Sequence, residues 1–347
     1  MKLFRNLKLA LPLGLSIAAF SPPLPVAVAQ VSEEAGFQGY LQLLAARARR
    51  EGVSEATIQR MTQGLTVNAR VIELDRAQPG SGSGGTPPPF DAYRRIHVDA
   101  ARIAGGRTMY GNIAGLTPQV ERQYGVPAPI LLAIWGHETN YGSYMGDFDL
   151  ARSLATLAYE GRRRELFADE FIALLKMADQ GVPRARMLGS WAGAFGNPQF
   201  LPSMFLRLAR DGDGDGDRDI WRSRADTLAS IANYFRDAGW QPGIPWGVRA
   251  TIPASFDRSS VPSRLKSPTC PRVHDRHSRW KTVGEWRALG IQPQRAIDDS
   301  AMATLFEPDG PGSPAWLLTG NYRVILHYNC SNYYALSVGL LADEIAH

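Results

Sequence analysis

Residues 126–142 read VPAPILLAIWGHETNYG, and the rest of the chain is interpreted around this stretch. Its two prolines suit the start of a helix, because the first helical turn does not need the N–H groups that proline lacks. An apolar run follows, and Gly142 is a natural helix end. Leu131 and Trp135 precede Glu138 by seven and three residues, so the carboxylate continues the apolar face of the predicted helix.

Glu138 is a candidate catalytic acid because of this position. It falls in the last turn of the predicted helix, where the helix macrodipole disfavours an anion. Burial and the dipole both raise the pKa of a carboxyl group, and a general acid that works near neutral pH needs a raised pKa. The alternative is a structural glutamate that is paired with an N–H group or a cation in the core.

The N-terminus is predicted to be a secretory signal peptide, residues 1–29. Three basic residues precede an apolar segment from Leu9 to Phe20, and Ala27-Val28-Ala29 forms a small-x-small cleavage site. A short membrane anchor is the alternative, but four prolines interrupt the apolar run. No cysteine lies near the cleavage site. We therefore expect a soluble periplasmic protein that is not a lipoprotein.

The remaining chain is predicted to be globular and only mildly basic. The sequence is 44% hydrophobic and contains eight tryptophans, as packed proteins do. Removing residues 1–29 takes away three cations and no acid, which lowers the formal net charge from +5 to +2. A nucleic-acid-binding protein would carry a concentrated basic patch. No such patch is evident, so we expect no nucleic-acid partner.

Cys270 and Cys330 are the two cysteines of the sequence. In an exported chain they are candidates for a disulfide, because such bonds persist in an oxidising compartment. Two free buried thiols are the alternative.

Helical periodicity dominates the chain, with one interruption. It predicts helices over about residues 35–50, after Ser54 and over residues 92–104, within an N-terminal helical region, residues 30–110. Helices continue over residues 111–245, and residues 322–346 are predicted to return to helix. Between these parts, prolines and short apolar runs predict a small α/β lobe, residues 246–320. The fold class is therefore mainly α (α+β), with residues 111–245 and 321–347 as the helical core and no transmembrane helix.

The acidic run DGDGDGDRD at residues 211–219 matches the front of an EF-hand calcium loop. Oxygen donors fall at loop positions 1, 3, 5 and 9 and glycine at position 6, but Arg222 occupies position 12, where an acid belongs. Asp226 lies close enough along the chain to fold back and supply that acid. An acidic, solvated turn is the alternative. The candidate ligands for a structural calcium ion are Asp211, Asp213, Asp215, Asp217 and Asp226.

Other catalytic motifs fail or stay ambiguous. His137-Glu138 begins the zinc motif H-E-x-x-H, but Tyr141 stands where the second histidine belongs, so a metalloprotease is excluded. No G-x-S-x-G nucleophile motif occurs. Asp147 and Asp149 follow Glu138 closely and offer the second carboxylate of an ordinary glycosidase. Residues in such positions more often cap the next helix or orient a loop, and we favour that interpretation.

Four motifs together resemble the lytic murein transglycosylase B family, glycoside hydrolase family 103. They are Gly136–Gly142, the glycine-rich stretch Ser190–Phe200, Ala232–Phe235 and Tyr328–Ser331, which follow the family's order and intervals from about Phe37 onward. The resemblance implies a lysozyme-like helical catalytic core with additional N-terminal helices and a small strand-containing lobe. It implies Glu138 as the catalytic residue, and it implies these cleft residues: Ser190, Gln199, Tyr234, Tyr328, Asn329 and Tyr334. It assigns no role to His137.

The acidic loop resembles a calcium-binding segment of one branch of the family, although Arg222 and the denser aspartates depart from that segment. The resemblance implies an enzyme that requires no cofactor, with calcium as a structural ion. Its expected partners are peptidoglycan glycan strands, with other cell-wall enzymes as further candidates.

The implied reaction cleaves the β-1,4 bond between N-acetylmuramic acid and N-acetylglucosamine and leaves a 1,6-anhydro end. Glu138 would act first as acid and then as base, and the substrate's own 2-acetamido oxygen would replace a second carboxylate. The first alternative is a muramidase-type hydrolase that uses Glu138 with Asp147 or Asp149. The second alternative is a peptidoglycan-binding protein without catalysis. A third is a wall protein regulated by calcium at the Asp211 loop.

Overall fold

The computed structural model describes residues 26–78, 88–264, 266–267 and 269–347. Residues 1–25 of the predicted signal peptide therefore lie outside the described residues. The chain begins with five helices: α1 (Val26–Arg50), α2 (Glu55–Thr62), α3 (Ala69–Ala77), α4 (Phe90–His97) and α5 (Ala100–Asn112). Helix α1 begins earlier than predicted. Ser54 caps α2 as predicted, since its hydroxyl accepts a hydrogen bond from the Thr57 N–H.

Six more helices follow, and they include the largely enclosed central helix of the protein. They are α6 (Thr117–Tyr124), α7 (Ala128–Thr139), α8 (Leu150–Glu160), α9 (Arg164–Asp179), α10 (Pro202–Leu208) and α11 (Arg224–Asp237). Every residue of α7 from Ile130 to Gly136 is buried. A helix that is apolar on all sides belongs inside a protein. The prediction of one apolar face for this helix is therefore too narrow.

A smaller lobe follows the helices and is built on a five-stranded antiparallel sheet with the order β4-β6-β7-β3-β5. Its core is separate from that of the helices, and the fully buried Trp286 lies in it and donates from Nε1 to the Ala303 carbonyl at 3.0 Å. The elements are β3 (Gly247–Thr251), β4 (Lys281–Thr282), α12 (Val283–Ala288), β5 (Gln292–Pro293), β6 (Met302–Phe306) and β7 (Ala315–Leu318). Two short strands, β1 (Phe148–Asp149) and β2 (Leu188–Gly189), pair within the helical part.

The chain returns from the lobe to the helical core through α13 (Gly320–Tyr328) and α14 (Asn332–Ala346). The return to helix predicted for residues 322–346 is confirmed, with one break at residues 329–331 that was not predicted. Asn329 is extended, with φ −146°, and the Ser331 hydroxyl caps α14 by accepting from the Tyr334 N–H at 3.3 Å. Cys330 lies in this break and is joined by a disulfide to Cys270 of the lobe. The apolar periodicity continues across the break, so it gave no sign of it.

Within the described ranges, none of the helices combines the length and the apolar character that crossing a membrane requires.

Candidate active site

Helix α7 ends immediately after Glu138 in a sharp reversal of the chain. Asn140 and Tyr141 both adopt left-handed backbone angles, with φ 48° and 59°, so the helix ends at Thr139, three residues before the predicted Gly142. The Tyr141 ring folds back over Gly136, where a Cβ would stand 2.7 Å from it. The Tyr141 hydroxyl donates to the Arg102 carbonyl at 2.9 Å. The reversal fixes the position of the last helical turn and of the Glu138 side chain on it.

The Glu138 side chain is partly buried, and among the described residues the one side chain that donates a hydrogen bond to its carboxyl group comes from α14. The Tyr334 hydroxyl donates to Oε1 at 2.5 Å. Burial raises the pKa of Glu138 to about 7, and the Tyr334 hydrogen bond lowers it by a smaller amount. The carboxyl group can therefore both give and take a proton near neutral pH.

Two further tyrosines, Tyr328 and Tyr93, lie near this carboxyl group, and a third, Tyr234, packs on Tyr328. Burial raises the pKa of Tyr328 and of Tyr93, and the negative charge of Glu138 adds to both shifts, which places both hydroxyls within its electrostatic reach. The Tyr328 hydroxyl donates to the Pro198 carbonyl at 2.5 Å, and its ring meets that of Tyr234 at 4.7 Å. Tyr93 lies on α4 and was missed by the sequence analysis, because no motif surrounds it.

The glycine-rich stretch packs against the loop that follows Glu138. Gln199 has a left-handed backbone, with φ 49°, and its Nε2 donates to the Met145 carbonyl at 3.2 Å and to the Gly196 carbonyl at 3.0 Å. A Cβ at Gly146 would stand 2.6 Å from the Ser190 nitrogen. Ser190 itself closes a tight turn, since its Oγ accepts from the Ala194 N–H at 3.0 Å. The turn residues and the loop are thus held at fixed positions relative to each other.

The structure brings together most of the predicted cleft residues. Tyr334 touches Glu138 directly, Tyr328 and Tyr234 form the adjoining aromatic cluster, and Tyr328 is bonded to the residue before Gln199. Ser190 packs against Gly146 in the loop that follows α7. Asn329 is exposed, at the end of α13 next to Tyr328.

The two aspartates that follow Glu138 are placed differently from a second catalytic carboxylate. Asp149 caps α8, because its Oδ1 accepts from the Arg152 N–H at 3.1 Å, and its Oδ2 forms a salt bridge with Arg184 at 2.7 Å. Asp147 is exposed. The capping role that the sequence favoured is confirmed for Asp149.

The acidic loop gathers three of its five predicted ligands. Asp211, Asp213 and Asp226 each offer an oxygen within 4.8 Å of the others, and Asp226 does fold back from α11. Asp215 and Asp217 lie outside this group, and Asp217 forms a salt bridge with Arg186 at 3.0 Å instead. Carboxylate oxygens suit a hard cation such as calcium. The three grouped residues therefore fit the predicted ion.

Comparisons with known proteins match most of the chain and agree with the fold described above. The chain is 30% identical over 272 residues to the membrane-bound lytic murein transglycosylase B of Escherichia coli. The matched region covers 78% of this chain and 70% of that protein. The crystal structure of SltB3 from Pseudomonas aeruginosa in complex with NAG-anhNAM-pentapeptide matches with 39% identity and a TM-score of 0.80, covering 89% of this chain and 79% of that one.

A second similar structure is that of the Escherichia coli lytic transglycosylase Slt35 in complex with calcium. It is 26% identical, covers 90% of this chain and 93% of that one, and has a TM-score of 0.71. The family model described as the transglycosylase SLT domain matches residues 36–343. This match spans nearly all described residues, from α1 to α14. The chain belongs to the transglycosylase SLT domain family and is a lytic transglycosylase.

Proposed function

We propose that this lytic transglycosylase cleaves the β-1,4 bond between N-acetylmuramic acid and N-acetylglucosamine in peptidoglycan, with Glu138 as the only catalytic carboxyl group. The observation that carries the proposal is the partly buried Glu138 carboxyl group, which accepts a hydrogen bond from the neutral Tyr334 hydroxyl and whose pKa is raised by burial. The relatives support the substrate, because one is named a murein transglycosylase and another binds NAG-anhNAM-pentapeptide.

The first step uses the protonated form of Glu138. The carboxylic acid gives its proton to the leaving glycosidic oxygen as the bond between that oxygen and the anomeric carbon breaks. The 2-acetamido oxygen of the muramic acid forms a bond to the anomeric carbon and takes the place of a protein nucleophile. The Tyr334 hydroxyl then stabilises the carboxylate that this step leaves behind.

The second step uses the carboxylate. Glu138 takes the proton of the C6 hydroxyl of the same muramic acid, and the C6 oxygen displaces the acetamido oxygen from the anomeric carbon. The product is a 1,6-anhydro end, and no water is consumed. A pKa of Glu138 of about 7 keeps both the acid and the carboxylate accessible near neutral pH, as the two successive transfers require.

The remaining cleft residues are proposed to hold the sugars. Aromatic rings such as those of Tyr234 and Tyr328 suit the faces of pyranose rings. Ser190, Gln199 and Asn329 carry the hydroxyl and amide groups that would bond to acetamido groups. Fixed positions for these residues favour ring closure at C6 over attack by water, since positioning accelerates an intramolecular step.

We further propose export to the periplasm by residues 1–29 and a structural calcium ion at Asp211, Asp213 and Asp226. The Slt35 complex with calcium supports the ion. The proposed division of the chain is an N-terminal helical region over 30–110, a catalytic core over 111–245 with 321–347, and a lobe over 246–320.

The test is mass spectrometry of the fragments that the purified protein releases from peptidoglycan sacculi. We expect 1,6-anhydro ends from the wild type, none from Glu138→Gln, and undiminished anhydro ends from the control variant Asp149→Asn after correction for stability. Reducing ends in place of anhydro ends would identify a muramidase. Binding to sacculi without release by the wild type would identify a non-catalytic binding protein.

A further inference from the structure

His137 is a partly buried histidine beside Glu138, and the proposed reaction has no use for it. Its ring is held at both nitrogens: Nδ1 lies 2.9 Å from the Ala133 carbonyl, and Nε2 lies 2.8 Å from the Ser337 hydroxyl oxygen. A carbonyl oxygen can only accept, so Nδ1 carries a proton. In the neutral ring Nε2 is then an acceptor that faces the Ser337 hydroxyl, whose single proton is shared between Nε2 and the Tyr334 carbonyl. Burial lowers the pKa of His137 to about 3, which keeps the ring neutral.

The contacts of His137 lead to Tyr334 by two routes. Its ring meets the Tyr334 ring edge-on, with centroids 5.4 Å apart. Its partner Ser337 lies one helical turn after Tyr334 on α14, is fully buried, and approaches the Tyr334 carbonyl to 2.8 Å. The histidine therefore fixes both the position of α14 beside α7 and the space that the Tyr334 ring fills.

Tyr334 is the residue that transmits this placement to the acid. Its hydroxyl donates to Glu138 at 2.5 Å, and the side chain is 6% exposed, so water offers it little alternative. On the other face of His137 lies the ring of His97, 6.1 Å away, which in turn stacks on Tyr93 at 3.8 Å. The cationic or titratable groups that act on His137 from neighbouring elements are His97 and Arg102. The Tyr334 ring contacts the His137 ring and carries the hydroxyl that donates to Glu138.

We propose that His137 is a positioning residue that holds Tyr334, through its ring edge and through Ser337, in the orientation in which the tyrosine donates to Glu138. The inference rests on the proposed role of Glu138. It assigns a purpose to a polar side chain in the last turn of a largely apolar helix. A leucine would fill a similar volume but would leave the buried Ser337 hydroxyl without its partner on α7.

The test applies two measurements to three single variants. A merely structural role of His137 would not change both measurements together. His137→Phe keeps a ring and removes the acceptor, Ser337→Ala removes the same hydrogen bond from the other side, and His137→Gln offers an amide oxygen at about the reach of Nε2. The readouts are kcat and KM on glycan strands and the pKa of Glu138. That pKa is measured by carbon NMR of protein labelled at glutamate carboxyl groups and assigned with Glu138→Gln.

We expect His137→Phe and Ser337→Ala to lower kcat about tenfold with KM within about twofold, and to raise the pKa of Glu138 by about one unit. The pKa rises because a loosened Tyr334 no longer stabilises the carboxylate. The double variant should be no worse than the poorer single variant, because both remove one contact. His137→Gln should restore part of kcat.

His274→Phe is the matched control. It makes the same change at a buried histidine of the lobe for whose ring nitrogens the described structure gives no hydrogen-bond partner, and it should leave the pKa of Glu138 unchanged. An unchanged pKa and kcat in a folded His137→Phe would overturn the inference. If that variant does not fold, the same result in Ser337→Ala overturns it. A wild type that forms no anhydro ends would refute the proposed function instead, and the pKa measurement would still decide the role of His137.

Discussion

Glu138→Gln should stabilise the fold at alkaline pH while it removes activity. The pKa of Glu138 is raised from 4.5 to about 7 in the folded protein, because burial penalises the carboxylate. Glutamine carries no charge and keeps an oxygen that accepts from Tyr334. The substitution therefore removes a cost that wild-type Glu138 imposes only when the group is ionised.

The direction of the effect follows from proton binding. Between pH 4.5 and 7 the folded state keeps the Glu138 proton while the unfolded state has lost it, so the free energy of unfolding falls as the pH rises through this range. Above pH 7 the loss is complete. A difference of this size between the two pKa values corresponds to about 3 kcal/mol. We therefore expect Glu138→Gln to exceed the wild type by up to about 3 kcal/mol at pH 8 and to equal it near pH 4.

Urea unfolding, followed by tryptophan fluorescence at both pH values, measures this difference, because the midpoints of the two proteins are compared under identical conditions. Glu285→Gln is a control of opposite sign. The Thr282 N–H lowers the pKa of Glu285, so this variant should lose stability at pH 8 and not at low pH. If Glu138→Gln differed from the wild type by the same free energy of unfolding at pH 4 and at pH 8, the reasoning would be refuted. Such a result would show that ionisation of the carboxyl group plays no part in the difference.

Three other changes have expected outcomes. Cys330→Ser should lower the free energy of unfolding by up to about 4 kcal/mol, because the disulfide closes a loop of 60 residues; an unfolding midpoint that dithiothreitol leaves unchanged would contradict this. Calcium should raise the melting temperature of the EDTA-treated wild type, by an amount equivalent to about 3 kcal/mol at a hundred times its dissociation constant. Asp226→Asn should abolish that response, whereas an equal rise in the variant would place the ion elsewhere. Gly189→Ala should lower the free energy of unfolding by about 1–3 kcal/mol, because its Cβ would stand 2.2 Å from the Ala194 carbonyl oxygen. The control Gly39→Ala meets no atom within 4 Å and should raise that free energy by up to about 1 kcal/mol, and thermal unfolding measures both.

The central helix and its acid could be predicted from sequence because their signals are local. Prolines at the helix start, an uninterrupted apolar run and a glutamate in the last turn all lie within residues 126–142. The bounds of α7 differ from the prediction only at its end, where Asn140 takes up a left-handed conformation that glycine more often supplies. The rotation of Glu138 toward the interior followed from its spacing to Leu131 and Trp135.

The parts that escaped prediction depend on contacts between distant residues. Tyr93 joins the site from α4, and nothing near it in the sequence marks it. The break before α14 depends on Ser331 as a cap and on a disulfide to the lobe, neither of which disturbs the apolar periodicity. Asp217 left the predicted ligand set because Arg186 competes for its carboxylate. Periodicity reports which face is buried, but it does not report which partner a buried or charged group will find.

The partner is what separates a catalytic acid from a structural one in this chain. Asp75 is 1% exposed, yet the Arg162 and Arg163 guanidiniums hold its pKa below the ordinary value, so it stays ionised and serves as an anchor. Glu138 is bonded instead to the hydroxyl of Tyr334, which has no charge, so burial prevails and raises its pKa. A cation in the place of Tyr334 would fix Glu138 as a carboxylate and prevent the first proton transfer. A purely apolar neighbour would leave the carboxylate without a donor after that transfer. A neutral donor is the partner that leaves both protonation states accessible, as a reaction with one carboxyl group requires.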